Sequence, residues 1–368
     1  MDKEQLYQEM IKMVPVKIKE TEDFRTALKR QLKSYQKKLK ELDSKDRPQD
    51  WESIYTRVVQ LCDGINRAVE SEYRGIRHSA YSAIKNQLDG YKTQKNNIKG
   101  LSVNTVKIPI GSVAYRMRKV DLEEQHTLKR HDMFHIPLDK RGMVHTQRYS
   151  VPGYPCLYLA HTVYGCWEEM GRPDFGTVMV SKFVAQQDFN VLDLRIPSKE
   201  QWERDDDMIR CIKSFPLIIA SMVQVKNSKD FYKSEYLIPQ LLTEWIISHN
   251  RESGKTGAEE IIGIAYTSAH KNTDFDYPED SVDNYAIPVL KPLGGGKYCS
   301  RLIQLFTITS PTYYDLEVHR LGNTHCWHSA GLEEEEQKTE NIRISSFGIM
   351  ENYLNKRELS SIGPQGEE

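Results

Sequence analysis

The chain has 368 residues, 39% of them hydrophobic, and its 51 lysines and arginines nearly balance 52 aspartates and glutamates, for a formal net charge of -1. That balance sets up no global field toward nucleic acid or a membrane surface, and no apolar run approaches the roughly 18–20 residues of a membrane span. The first residues, MDKEQLYQEM, lack the basic-then-apolar pattern of a signal peptide, so a cytoplasmic location is expected.

In chain order, residues 1–102 read as a helical domain. Phe24, Leu28, Leu32, Tyr35, Leu39 and Leu42 recur at three- and four-residue steps, one apolar stripe on a helix. Asp43 to Pro48 ends that helix, and Asp50 is placed to cap the next, which carries Trp51, Ile54, Tyr55, Val58, Leu61, Cys62 and Ile65 toward a partner. Tyr81, Ile84, Leu88 and Tyr91 mark a third helix, and the polar stretch Lys92 to Gly100 closes the block. Seven basic residues and no acid lie between Phe24 and Lys40. They describe a solvated helix face or a docking surface for nucleic acid or an acidic partner, and solvation or a protein partner ranks higher because no aromatic platform or recognised nucleic-acid motif accompanies them. Arg74 to His78 superficially resembles the Arg/His motif of helical ribonucleases, but only three residues separate the two ends.

From Val103 the pattern changes. Strand-like runs occur at 106–110, 113–117, 156–160, 176–183 and 189–194, helical periodicity at 208–225 and 234–249, and buried strands at 261–266 and 302–308. Strands that do not alternate strictly with helices predict an α+β domain over 103–318. Gly294-Gly295-Gly296 precedes a strand and reads as a turn, not a phosphate loop. Residues 319–368, with the acidic run Glu333 to Glu336, read as a polar, partly disordered tail in which 342–354 is a candidate docking segment. The six cysteines are scattered without a CxxC spacing, and His325-Cys326-Trp327-His328 lacks a second ligand pair, so reduced thiols and no metal are expected.

Chemistry concentrates between Gln147 and Glu169, QRYSVPGYPCLYLAHTVYGCWEE. Arg148 precedes a Pro-Gly turn, Tyr158 lies in the apolar strand that follows, and Glu169 lies in the next helix. Arginine offers a planar fork for phosphate, tyrosine a stacking face, and a glutamate beside a ribose stabilises charge developing at the anomeric carbon. Glu168 and Glu169 are adjacent, so only one of the two carboxylates can enter a pocket on a given helix face. Taken singly, each of these residues also suits a structural role.

In order and spacing these residues resemble the RES domain family of NAD-degrading proteins. The resemblance rests on Arg148-Tyr149, Pro155 to Ala160 and Cys166 to Glu169, with Ala114-Tyr115-Arg116-Met117-Arg118 upstream and Gly263 to Ser268 and Asp283 to Pro288 downstream. It covers roughly residues 106 to 310. The family often has Gly before the arginine, Trp after it and Pro before the serine, where this chain has Gln147, Tyr149 and Thr267. Almost a hundred residues separate Glu169 from Ser268, more than in compact members.

The resemblance implies an ADP-ribosyltransferase-like fold, a split β core flanked by helices. It implies cleavage of the nicotinamide–ribose bond of NAD, with Glu169, Arg148, Tyr158 and Ser268 as the catalytic set. Arg116, Tyr149 and Asn284 then bind substrate, NAD is the substrate, and no metal is needed because cationic nicotinamide is already a good leaving group. Transfer of ADP-ribose to a macromolecule and a non-catalytic nucleotide-binding module are the alternatives. Free NAD consumption requires restraint, so a protein inhibitor, activator or antitoxin is an expected partner, as is self-association through the N-terminal helices, in a toxin or defence effector.

Overall fold

The computed structural model describes residues 1–92, 97–101, 104–120, 128–253, 260–270, 282–289, 296–313 and 346–366. The glycines at 294 and 295, the acidic run and the 325–328 stretch lie outside them. Packing divides the chain into two compact units that do not follow it linearly. One unit comprises Met1–Val106, Thr146–Val151 and Val191–Gly257; the other comprises Lys107–His145, Pro152–Asn190 and Ala258–Glu368. A linear cut near residue 102 thus differs from the packing at two inserts, 146–151 and 191–257.

The first unit is built on helices α1 (Lys3–Lys12), α2 (Phe24–Lys40), α3 (Trp51–Tyr73) and α4 (Arg77–Asp89), followed by a short hairpin of β1 (Gly90–Lys92) and β2 (Asn97–Lys99). The hairpin occupies a stretch that composition alone marks as polar linker. On α2 the apolar stripe is buried as its spacing requires: Phe24, Leu28, Leu32, Tyr35 and Leu39 all face inward. Full burial of each such side chain contributes roughly 1.5–3 kcal/mol. Asp50 precedes α3 but makes no capping hydrogen bond, because its backbone is left-handed (φ 62°). The basic face of α2 is largely paired. Arg25 reaches Asp23, Arg30 reaches Glu22 at 2.9 Å, and Lys38 reaches Glu9, while Lys29 and Lys33 are exposed.

The insert contributes α6 (Lys199–Glu203), α7 (Asp205–Ser221) and α8 (Leu237–Ser253). From Phe215 to Ser221, α7 is buried on every side, and the Tyr35 hydroxyl of α2 donates to Ile212 O at 2.8 Å. A helix apolar all round is a core element. That explains why this insert packs with the N-terminal helices.

The second unit is a mixed layer of sheet and helix, the α+β class expected. Its strands are β4 (Val113–Lys119), β5 (Cys156–Ala160), β6 (Val178–Ala185), β8 (Ile261–Thr267), β9 (Asp283–Pro288), β10 (Phe306–Thr309), β11 (Thr312–Tyr313) and β12 (Leu359–Ser360). Strands β3 (Thr105–Ile108) and β7 (Phe189–Leu194) straddle the unit boundaries. Within the unit the order is β12-β10-β6-β4-β5-β9-β8, with β11 also on β6, and the described pairings among these strands are antiparallel. β4 is zipped to β6 from Val113 to Lys119, yet its described register with β5 is the single pair Tyr115↔Ala160. The sheet therefore opens between β4 and β5.

Helix α5 (Val163–Glu169) follows β5 directly. The run at 302–308, expected as a strand, is divided. Leu302 and Leu305 are buried three residues apart in α9 (Ser300–Leu305), and the strand starts only at Phe306. Within the expected tail, Ser346–Asn355 forms α10, with Met350 and Leu354 fully buried, and β12 pairs with β10. The five described cysteines are buried. No described helix is long and apolar enough to cross a membrane.

Candidate active site

The site is set by strand register. Asn284 on β9 lies opposite Tyr266 on one side and Ala160 on the other, and directly opposed residues of an antiparallel pair share a face. Alternation places Ser268 and Tyr158 on that face too, each two residues from a member of the row. The chain leaves β5 through His161, whose N–H donates to Asp283 O at 2.8 Å. It enters α5 at Thr162, whose hydroxyl accepts from Gly165 N–H at 2.9 Å, the usual N-cap arrangement. Two turns later the helix ends at Glu169.

The two adjacent carboxylates separate as helix geometry demands. Glu168 is buried and fixed, accepting from Arg172 Nε at 3.1 Å on both oxygens and from the Tyr164 hydroxyl. Glu169 is half-buried and turns to the strands. It accepts from the Ser268 hydroxyl, from the Tyr266 hydroxyl at 3.2 Å and, at the outer limit of a hydrogen bond, from Asn284 Nδ2 at 3.5 Å. All three donors are neutral. Two of them are held in turn: Ser268 N–H donates to Val282 O at 3.0 Å, and Ser268 Oγ accepts from His270 N–H at 3.2 Å. Asn284 Nδ2 also donates to Val282 O at 3.3 Å, and beneath them Thr267 Oγ1 donates to Asp283 Oδ1 at 2.8 Å. A carboxylate held by neutral, exchangeable donors can trade one of them for a substrate hydroxyl. It can also face a developing cation without a competing positive charge.

Glu169, Ser268 and Asn284 are thus brought together, with the half-buried Tyr158 on the same sheet face. Arg116 projects from the other face of its strand, and Arg148 and Tyr149 are described within the helical unit. Arg116 is one residue from Tyr115, the partner of Ala160, so it occupies the opposite face, shared with Ala114, Ser181 and Phe183. Its Nη1 is buried without a hydrogen-bond partner among the described residues, and burial, with Arg118 beside it, pushes its pKa down to about 10. Arg148 belongs to the helical unit. Its Nη1 donates to Ser221 O at 2.8 Å and Val223 O at 3.0 Å, and its guanidinium lies 5.1 Å from the Tyr236 ring centroid. Those bonds knit the 146–151 insert to the end of α7. Tyr149 is 1% exposed and its carbonyl accepts from Thr243 Oγ1 at 3.1 Å, so its ring is core. Tyr266 received no role from the sequence. The i, i+2 relation to Ser268 was the signal available, since both must face the same way on one strand.

Compared with known proteins, the chain is 31% identical over 328 residues to the protein named "Putative toxin YopC" of Bacillus subtilis (strain 168), covering 83% of this chain and 72% of that one. No family model matches the chain, and no solved structure matches it. Identity at that level over most of both chains is shared ancestry: the chain belongs to the family of the Bacillus subtilis protein YopC.

Proposed function

We propose that the sheet unit cleaves the nicotinamide–ribose bond of NAD and that the protein acts as a toxin through that activity. The observation that carries the reading is the Glu169 carboxylate gathered by Ser268, Tyr266 and Asn284 on one face of the sheet. Glu169, Ser268 and Asn284 stand in the order of the RES pattern, and the name of the Bacillus relative supports the toxin role. An enzyme that drains a shared cofactor is toxic to any cell that cannot restrain it.

In this reading Glu169 accepts a ribose hydroxyl and stabilises the oxocarbenium-like transition state as the C1′–N bond breaks. The bonding pair leaves with nicotinamide, which passes from cation to neutral base. Water or phosphate then adds to C1′ and loses its proton to solvent. Ser268 and Asn284 hold the carboxylate and the substrate's polar edge, Tyr266 fixes the other carboxylate oxygen, and Tyr158 offers a ring on which nicotinamide packs. The reading concerns the ribose end of the dinucleotide. Arg148, with Nη1 committed to two carbonyls, keeps the role of holding its insert in place.

Glu169→Gln should lower nicotinamide release by about 100-fold or more, the size of effect expected for one transition-state charge contact. Ser268→Ala should lose less, because Tyr266 and Asn284 remain. Full activity in Glu169→Gln, measured by chromatography of released nicotinamide, would remove the proposed mechanism.

A further inference from the structure

The helix that presents Glu169 is only two turns long, and such a helix does not stand on its own hydrogen bonds. Its position is set by what holds it. Thr162 caps its first turn from within the local sequence. A second acceptor arrives from far along the chain: Glu351 Oε1 takes the N–H of Val163, the first residue of α5, at 2.7 Å across 188 residues. Glu351 lies on α10, whose Met350 and Leu354 are buried with Val163 and Cys166, and whose Phe347 packs on Trp167. The Phe347 ring centroid lies 5.3 Å from that of Tyr164 and 5.5 Å from that of Trp167. At the far end of α10, Asn355 Oδ1 accepts from Lys182 Nζ of β6 at 3.3 Å. The helix is therefore tied both to the sheet and to the start of α5.

We infer that Glu351 is a positioning residue for Glu169, acting through the N-terminus of α5. The inference rests on Glu169 being the catalytic carboxylate. A rotation of α5 about its start swings its last residue furthest, and the contacts of Glu169 with Ser268, Tyr266 and Asn284 tolerate little movement. Misplacement of a reacting group by about 1 Å can cost on the order of 100-fold in rate. The aromatic and aliphatic packing of α10 remains when the carboxylate is removed, so a partial loss is expected.

The test uses the full chain with Glu351→Ala, which removes the acceptor, and Glu351→Gln, which keeps one. NAD cleavage is read as kcat and KM per folded molecule, and amide hydrogen exchange is followed over residues 161–170. In Glu351→Ala, kcat should fall about tenfold with KM little changed, and exchange at the start of α5 should rise; Glu351→Gln should restore both. Exchange unchanged in Glu351→Ala, or kcat per folded molecule unchanged despite faster exchange, overturns the inference. If the wild-type protein leaves NAD intact, the proposed function fails separately. The exchange data then decide alone: a rise upholds Glu351 as the hold on the helix of Glu169, and no rise overturns it.

Discussion

Glu168 and Glu169 are chemically identical neighbours with opposite fates. The first is 3% exposed and neutralised by the bidentate Arg172, whereas the second is held by two hydroxyls and an amide. Environment, rather than residue type, separates a carboxylate locked in an ion pair from one held only by neutral, exchangeable donors. His135 shows the same principle in the core. Cys299 N–H donates to its Nε2 at 2.9 Å, which leaves the proton on Nδ1, 2.8 Å from Ile136 O. Burial, aided by Arg116 nearby and opposed by the Ile136 carbonyl, pushes its pKa down to about 4. The unfolded chain binds a proton near the ordinary value of about 6.5, and the folded chain resists until about 4. Stability from this group is therefore complete above about pH 6.5 and falls as pH drops toward 4, by roughly 3 kcal/mol. Urea midpoints should decline over that window in the wild type and decline less in His135→Gln. Equal pH slopes in the two proteins would contradict the assignment.

The elements that were legible before folding are those whose burial is periodic. The stripe from Phe24 to Leu39 becomes the buried face of α2, and Cys156–Ala160 becomes β5 with the bounds its apolar run predicts. Leu32→Ala should cost about 2–5 kcal/mol in urea unfolding, while Lys33→Ala on the exposed face should stay within about 0.5 kcal/mol. Comparable losses would mean the stripe is not the buried face. Short apolar runs were less legible. Leu302 to Ile308 fits helix or strand until its neighbours decide, and the chain uses both. In the site, Glu169, Ser268 and Asn284 could be named from the resemblance to the RES pattern. Arg148 and Tyr149 could not be placed, because their partners are the carbonyls of Ser221 and Val223 and the hydroxyl of Thr243, 73 to 94 residues away. No local pattern announces such bonds.

At the scale of the whole molecule, the chain builds its helical unit from three separate segments and its sheet unit from three others. The long interval between Glu169 and Ser268, which exceeds that of compact RES domains, contains the 191–257 insert that belongs to the helical unit. Strands β5, β8 and β9 can therefore meet around Glu169 while the sequence between them serves another core. Kinship with YopC over 83% of the chain includes more residues than either unit alone supplies. The kinship thus involves both units, and the whole chain is the right material for any assay. The most direct measurement is incubation of that protein with NAD in phosphate buffer, with the products resolved by chromatography and mass. The account predicts release of nicotinamide together with ADP-ribose or its 1″-phosphate, whereas intact NAD after prolonged incubation with folded protein would contradict it.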